Sequence, residues 1–202
     1  MVFHVKHHPL LLVYPEAEAT LTEYVRWLST AGIERGLMGP READRMWERH
    51  IANCAAVADL IPQGDSVCDV GSGAGLPGLV LAIVRPDLKV TLIEPLQRRC
   101  DFLNEVIADL DLPVKVLRGR AQEFKGHTFK TVTSRAVAPL GKLLTWCAPL
   151  TSQGGQIVAM KGSSALQEIQ DASAEIGHRS VDVVECGTAF VEQPTTVVRV
   201  HF

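Results

Sequence analysis

Residues 69–78 form a glycine-rich segment, Asp-Val-Gly-Ser-Gly-Ala-Gly-Leu-Pro-Gly, at the junction of a predicted strand and a predicted helix. The strand, residues 66–70, is a short apolar run, and the helix covers about residues 76–84. At such a junction glycines let the backbone come close to a nucleotide-like ligand, because a side chain would block the approach. The segment therefore predicts an α/β domain with a cofactor at this loop. A tight turn that binds nothing is the alternative.

Further strands alternate with helical stretches, a pattern typical of a parallel sheet covered by helices. The predicted strands are residues 89–93, 114–117, 130–134 and 156–160, the last preceded by a turn at Gly154-Gly155. Residues 181–186 and 195–202 are two more strands, joined by a loop too short for a helical crossover, so they should pair antiparallel. The sequence thus predicts the seven-stranded, Rossmann-like α/β fold of methyltransferases that use S-adenosylmethionine (SAM), with a C-terminal antiparallel strand pair.

Two amphipathic helices are predicted before the sheet, over about residues 15–32 and 40–60. His50 shares the apolar stripe of the second helix, and this spacing predicts a core histidine bonded to a backbone carbonyl. We expect an N-terminal helical extension over residues 1–64 and one compact methyltransferase domain over residues 65–202.

SAM is the cofactor expected at the glycine loop, and a dinucleotide is its rival. Residues 73–78 fit the pattern G-x-G-x-x-G, and Glu94 follows at a spacing found in dinucleotide-binding domains. Asp69 favours SAM, because a carboxylate at the strand end suits a ligand that carries an ammonium and a sulfonium group. Glu94, at the end of the second strand, is placed to accept both hydroxyls of an adenosine ribose.

Five short motifs are shared with one known family. They are Arg49-His50, the glycine segment, Arg120-Ala121, Ser134-Arg135-Ala136 and Lys161-Gly162. Over about residues 4–162 the chain resembles the bacterial GidB (RsmG) family, the small-subunit (16S) ribosomal RNA guanine-N7 methyltransferases. The resemblance implies SAM-dependent methylation of guanine N7 in that RNA.

The resemblance also implies which residues contact SAM, namely Gly71, Leu76, the backbone of Ala121 and Gln122, and Arg135. With the loop analysis, the predicted cofactor-binding residues are Asp69, Gly71, Ser72, Gly73, Gly75, Leu76, Gly78, Glu94, Ala121, Gln122 and Arg135. The family usually has an acid where Gln122 stands, and Asp-Ser where Asn53-Cys54 stands.

The expected chemistry needs no general base. N7 of guanine carries an exposed lone pair, so in-line attack on a sulfonium methyl depends on positioning and electrostatics. Residues 133–135, Thr-Ser-Arg, replace the Asn or Asp-Pro-Pro-aromatic stretch that usually accompanies adenine amine methylation. Cys147, the candidate nucleophile for cytosine C5 chemistry, falls on an apolar helix face. A small-molecule methyltransferase and a non-catalytic RNA- or nucleotide-binding module on the same fold are the alternatives.

Basic residues are concentrated between residues 112 and 142, although the chain as a whole has a formal net charge of -3. This basic stretch contains Lys115, Arg118, Arg120, Lys125, Lys130, Arg135 and Lys142. Seven basic residues against one acid give it a net charge of +6, which favours ribosomal RNA or the small ribosomal subunit as the partner. The residues expected to act in catalysis or RNA binding are Arg49, Arg118, Arg120, Arg135 and Lys161.

Five widely spaced cysteines, an odd number, indicate neither a disulfide framework nor a zinc site. No metal and no membrane association are expected, since the sequence also has no apolar stretch long enough to cross a bilayer. We expect a monomer in the reducing cytoplasm.

Overall fold

The computed structural model describes residues 8–202, which contain a seven-stranded sheet with helices on both faces. Its strands are β1 (Ser66–Val70), β2 (Lys89–Glu94), β3 (Lys115–Arg118), β4 (Phe129–Arg135), β5 (Thr151–Met160), β6 (Val181–Cys186) and β7 (Thr195–His201). They lie in the order β3-β2-β1-β4-β5-β7-β6. Strands β1 to β5 pair in parallel, and β7 pairs antiparallel with β5 and with β6. The predicted fold class is confirmed, including the C-terminal antiparallel strands.

The α-helices of the described residues pack on the two faces of this sheet. They are α1 (Leu10–Val13), α2 (Glu18–Trp27), α3 (Asn53–Ala55), α4 (Gly78–Val84), α5 (Gln97–Asp109), α6 (Leu140–Cys147), α7 (Ala165–Asp171) and α8 (Ser173–Ile176). Successive strand residues point to opposite faces, so Val67 of β1 packs with α2, α4 and α5, whereas Cys68 packs with α6 and α8. Because both faces are covered, a ligand reaches the sheet at the strand ends.

The segment before β1 differs from the two predicted helices. A π-helical turn, Leu28–Gly32, extends α2. The predicted second helix is broken into a 3-10 helix over Pro40–Arg45, a π-helical segment over Met46–Ala52, then α3 and a 3-10 turn over Ala58–Leu60. The predicted apolar stripe of this segment is nevertheless buried. The spacing therefore identified the buried face correctly and the helix type incorrectly.

The N-terminal segment shares a hydrophobic core with the sheet. Leu21 and Tyr24 of α2 are fully buried in the same cluster as Val67 and the residues of α4. The Tyr24 hydroxyl donates a hydrogen bond of 2.8 Å to the backbone oxygen of Ala74 in the glycine loop. The division into residues 1–64 and 65–202 stays a prediction, and its first seven residues lie outside the described part of the chain. In that part, the segment packs as a layer of the common core.

Strand β5 is longer than predicted. It begins at Thr151, so Gly154 and Gly155 lie within the strand and not in a turn before it. A Cβ at Gly155 would come 2.6 Å from the backbone oxygen of Lys130 on β4, and the missing side chain therefore allows the two strands to approach.

Within residues 8–202, no helix is both long enough and apolar enough to span a membrane. The same residues contain no group of three or more His, Cys, Asp or Glu side chains arranged to hold a metal ion. The five cysteines are buried, free thiols.

Candidate active site

A cleft of about 770 Å³ opens at the carboxyl ends of β1, β2 and β4. The sheet order reverses between β1 and β4, so the connections after these strands diverge and leave a crevice. Nine of the fifteen predicted site residues line the cleft: Gly71, Ser72, Gly73, Leu76, Glu94, Arg120, Ala121, Gln122 and Arg135. The other six, Arg49, Asp69, Gly75, Gly78, Arg118 and Lys161, lie outside its wall.

The glycines of the loop after β1 serve two different purposes. Gly73 has a φ of +60°, and a Cβ there would meet no atom closer than 3.9 Å, so the position is open toward the cleft. At Gly75 a Cβ would lie 2.5 Å from Leu79 Cδ1, and at Gly78 it would overlap Leu92. The close approach of Leu79 and Tyr24 therefore requires Gly75, and the packing of α4 against β1 and β2 requires Gly78. Their predicted role in letting a cofactor approach is corrected.

Asp69 lies beneath the glycine loop and has no exposed surface. Its Oδ2 accepts a hydrogen bond of 3.0 Å from the backbone N–H of Gly78, which ties the start of α4 to β1. Its Oδ1 has no hydrogen-bond partner among the described residues. Burial raises the pKa of Asp69 to about 7, and the hydrogen bond from Gly78 opposes this shift. The predicted contact of Asp69 with a cationic cofactor is therefore corrected to a bracing role under the loop.

Glu94, the last residue of β2, lies in the wall of the cleft and is 1% exposed. Its Oε2 accepts a hydrogen bond from the backbone N–H of Gly73, and its Oε1 accepts one from the backbone N–H of Leu96, each at 3.0 Å. These two bonds fix the carboxylate. Each carboxylate oxygen accepts more than one hydrogen bond, so the bonds leave capacity for hydroxyl groups of a ligand.

The loop after β3 supplies another part of the wall. Ala121 and Gln122 lie in a 3-10 helix over Ala121–Glu123, with Ala121 buried and the side chain of Gln122 exposed. Arg120 precedes this helix, is exposed, and lines the cleft. The roles predicted for these three residues stay predictions, and Arg118 at the end of β3 is exposed outside the cleft wall.

Arg135, at the end of β4, is half-buried in the cleft wall. Its Nη2 lies 2.7 Å from Nδ1 of His50, and its Nη1 donates a hydrogen bond of 3.2 Å to the sulfur of Cys54. His50 also lines the cleft, and its Nε2 lies 2.6 Å from Glu42 Oε2. The predicted bond between His50 and a backbone carbonyl is therefore wrong.

The partner of His50 in the shared motif, Arg49, lies outside the cleft wall. It is exposed, and its Nη1 donates a hydrogen bond of 3.1 Å to Glu42 Oε1. Spacing analysis missed both His50 and Glu42 as site residues, since a buried stripe does not distinguish a core side chain from one that lines a cleft. The motif Arg49-His50 indicates that this segment belongs to the site, but the residue of the motif that lines the cleft is His50 and not the predicted Arg49.

Lys161 is held by two interactions and is not free for a phosphate. Its Nζ donates a hydrogen bond of 2.7 Å to the backbone oxygen of Ala138 and forms an ion pair of 2.7 Å with Glu168 Oε2. Its side chain is 9% exposed. Lys161 also lines the second cleft described below, and its catalytic or RNA-binding role stays a prediction. It ties the loop after β4 to the segment that precedes α7.

The basic stretch is divided between the two edges of the sheet. Arg118 and Arg135 end β3 and β4, at the edge where the cleft opens. Lys115 begins β3, and Lys130 lies at the start of β4, where it donates a hydrogen bond of 3.3 Å to the backbone oxygen of Gln153. The basic residues of the stretch therefore do not all lie on one side of the protein, and Arg118 and Arg135 are at the edge where the cleft opens.

A second cleft, of about 980 Å³, adjoins the loop that follows β4. Arg135, Ala136 and Val137 line both clefts, so this loop is a common wall. Ala136 holds a φ of +54°, a conformation that non-glycine residues seldom adopt. Ligands in the two clefts would therefore both contact this loop.

Sequence comparisons agree on one family. The family model described as rRNA small subunit methyltransferase G matches residues 17–194. A protein of Salinispora tropica named ribosomal RNA small subunit methyltransferase G is 53% identical over 189 residues, covering 88% of this chain and 78% of that protein. A protein of the same name from Rhodococcus jostii is 50% identical over 194 residues, covering 93% of this chain and 86% of its own.

Solved structures agree on the fold. A methyltransferase from Pyrococcus furiosus superposes with a TM-score of 0.58 at 17% identity, covering 72% of this chain and 78% of that one. A SAM-dependent O-methyltransferase from Thermotoga maritima superposes with a TM-score of 0.57 at 15% identity, covering 79% and 69%.

Proposed function

Because the chain belongs to the rRNA small subunit methyltransferase G family, we propose that it transfers the methyl group of SAM to N7 of a guanine in small-subunit ribosomal RNA. SAM-dependent methylation of small-subunit ribosomal RNA is the activity of the family. The position N7 and the residues that serve the reaction are what we propose here. The family assignment favours this reaction over a small-molecule methyltransferase and over a non-catalytic binding module.

The residues of the first cleft fit SAM. Gly73 lines the cleft, holds a φ of +60° that favours glycine, and leaves open space where a side chain would begin. Glu94 is held by two backbone N–H groups and retains acceptor capacity for the two ribose hydroxyls. Ala121 and Gln122 line the cleft, where the adenine ring would lie. These features suit an adenosine ligand, and with the family assignment the cofactor that we assign to the cleft is SAM.

The common wall of the two clefts is the observation that carries the proposal. Methyl transfer needs the donor and the acceptor on opposite sides of the moving carbon, because the attack is in line. The loop at Arg135, Ala136 and Val137 lines both the SAM cleft and a second cleft of about 980 Å³, so ligands in the two clefts would meet at this loop. We infer that a base splayed out of the RNA enters the second cleft, as sequence-specific RNA recognition commonly requires.

The protein contributes position and charge to this reaction. When bound, SAM supplies an electrophilic methyl group on a sulfonium centre. Glu94 and the glycine loop orient the adenosine, and Arg135 places a permanent positive charge between the two clefts. The lone pair on N7 is already available, so no residue has to remove a proton before the attack. The wall of the cleft therefore acts through preorganised electrostatics and geometry.

The partner of the chain is small-subunit ribosomal RNA, either alone or in the assembled subunit. We infer a cytoplasmic location from this substrate class. A monomer stays a prediction.

The product and its pH dependence test the position N7. Ribosomal RNA methylated by the purified protein should contain 7-methylguanosine after digestion and mass spectrometry. Between about pH 6.5 and 9, the single-turnover rate should lack the roughly tenfold rise per pH unit expected when an essential base loses its proton. Another methylated nucleoside in the digest would refute the assignment to N7.

Arg118 and Lys115 provide a matched test of the RNA-binding edge, because they lie at opposite ends of β3. Arg118→Ala should weaken RNA binding and reduce the slope of log affinity against log salt by about 0.7, the value for one contact with single-stranded RNA. Lys115→Ala, at the edge away from the cleft, should leave that slope unchanged. SAM affinity should be unaffected in both variants. Equal salt slopes for the two variants would place RNA elsewhere on the molecule.

A further inference from the structure

Arg135 is oriented by a neutral group and not by a direct ion pair. Within residues 8–202, no carboxylate oxygen forms a salt bridge with its guanidinium, although such pairs are common for half-buried arginines. Its short contact is the one of 2.7 Å between Nη2 and Nδ1 of His50. The direction of this guanidinium therefore depends on the imidazole ring.

The contacts of the ring determine its protonation state. A guanidinium has only N–H donors, so Nδ1 of His50 must be the acceptor and carries no proton. A carboxylate has only acceptors, so Nε2, at 2.6 Å from Glu42 Oε2, must carry the proton and donate it. Only the neutral Nε2–H tautomer satisfies both contacts. An imidazolium would direct an N–H at the guanidinium, and the other tautomer would leave both contacts without a hydrogen bond.

The charges around His50 come from three parts of the chain. Glu42 lies on the preceding 3-10 helix, Arg49 is the neighbour on the same segment, and Arg135 comes from β4. Burial and the charge of Arg135 lower the pKa of His50, while Glu42 opposes the shift. Three buried titratable groups also interact with Arg135, namely Tyr24, Cys54 and Asp69.

We propose that His50 is a positioning residue for methyl transfer: held by Glu42 as the neutral Nε2–H tautomer, it fixes the guanidinium of Arg135 in the wall between the two clefts. Protonation of His50 removes the acceptor and turns the contact into a repulsion between like charges. Activity is therefore lost as the pH falls through the pKa of His50, which lies below the usual histidine range. The consequence for methyl transfer rests on the proposed function, whereas the tautomer does not.

The tautomer is measured first, on the protein without cofactor or RNA. Long-range ¹H–¹⁵N correlation spectra at neutral pH should show a His50 ring with a protonated Nε2 and an unprotonated Nδ1. The ring is assigned by the signals that disappear in His50→Asn. A Nδ1–H tautomer, or an imidazolium at neutral pH, would overturn the proposal even if the chain proves to methylate guanine N7.

Two variants at the same position then test the link to Arg135. His50→Ala removes the acceptor and should lower the single-turnover rate about 10-fold or more at neutral pH, the loss expected for one hydrogen bond to a charged group. His50→Asn offers an amide oxygen near the position of Nδ1 and should recover most of that loss. Because asparagine does not titrate, the fall in rate at acid pH should also disappear in this variant.

His201→Ala is the matched control, since His201 also contacts a carboxylate, Asp182 Oδ2 at 3.0 Å, but lies on β7 away from the clefts. It should leave the rate and its pH dependence unchanged. Thermal unfolding of all variants shows whether each remains folded. A wild-type pH profile in His50→Asn would assign the acid limb to another group, such as Asp69, and would overturn the proposed role of His50.

Discussion

Replacing Gly73 with valine is expected to abolish SAM binding. Gly73 holds a φ of +60°, its side-chain position opens into the cleft, and its N–H bonds to Glu94. A valine there would occupy the space of the adenosine and disturb the carboxylate that orients it. We expect calorimetry to show an affinity lowered by at least about 100-fold, equal to about 2.7 kcal/mol.

Gly64→Val is the control that shows how much of the loss of SAM affinity in Gly73→Val is due to backbone strain alone. Gly64 has a φ of +74°, also has open space around it, and also donates its N–H to a carboxylate, that of Asp87. It precedes β1, at the end of the strand away from the cleft. Both variants should lose about 1–3 kcal/mol of unfolding free energy through strain. Normal SAM affinity in Gly73→Val would exclude the loop from the cofactor site.

Arg135→Ala is expected to cause the other large loss, this time in methyl transfer. The substitution removes the permanent charge from the wall between the clefts and leaves Nδ1 of His50 without its donor. The single-turnover rate should fall by about 100-fold or more, as when a preorganised electrostatic contact to the reacting groups is removed. SAM affinity should fall as well, because Arg135 lines the first cleft.

Arg199→Ala is the matched control for this prediction. Arg199 is another half-buried strand arginine, and it pairs with Asp182 at 3.0 Å on the far part of the sheet. Its removal should leave SAM affinity and the transfer rate unchanged. Arg135→Lys keeps the charge but cannot form the planar two-sided contact with His50 and Cys54, so it should restore the rate only in part. If Arg135→Ala methylated RNA at the normal rate, the common wall would have no electrostatic role.

The sheet was predictable because its signals are local. A β-branched run bounded by turn residues specifies a strand within a few residues, and the short connection between β6 and β7 leaves antiparallel pairing as the outcome. The N-terminal turns were not predictable in the same way. Apolar spacing reports which side chains are buried, and it does not report whether each turn closes with a 3-10, an α or a π hydrogen bond.

A site residue was predictable from the sequence where its position at the end of a strand is enough to bring its side chain to the cleft. Glu94 ends β2 and reaches the cleft, whereas Asp69 stands one residue before the end of β1, and its side chain lies under α4. In sequence the two carboxylates look alike. The contacts of Lys161 with Ala138 and of His50 with Arg135 join positions 23 and 85 residues apart, and no local pattern carries that information.

The hydrogen bond from Tyr24 to Ala74 couples the docking of α2 to the binding of the cofactor. The hydroxyl is buried, and its acceptor belongs to the glycine loop that we propose holds SAM. If α2 leaves the core, the loop loses this support, and cofactor binding must supply the energy to restore it. By thermodynamic linkage, a ligand that favours the ordered loop also favours the docked helix. We therefore expect the docked α2 and the bound cofactor to stabilise each other through the contact at Ala74.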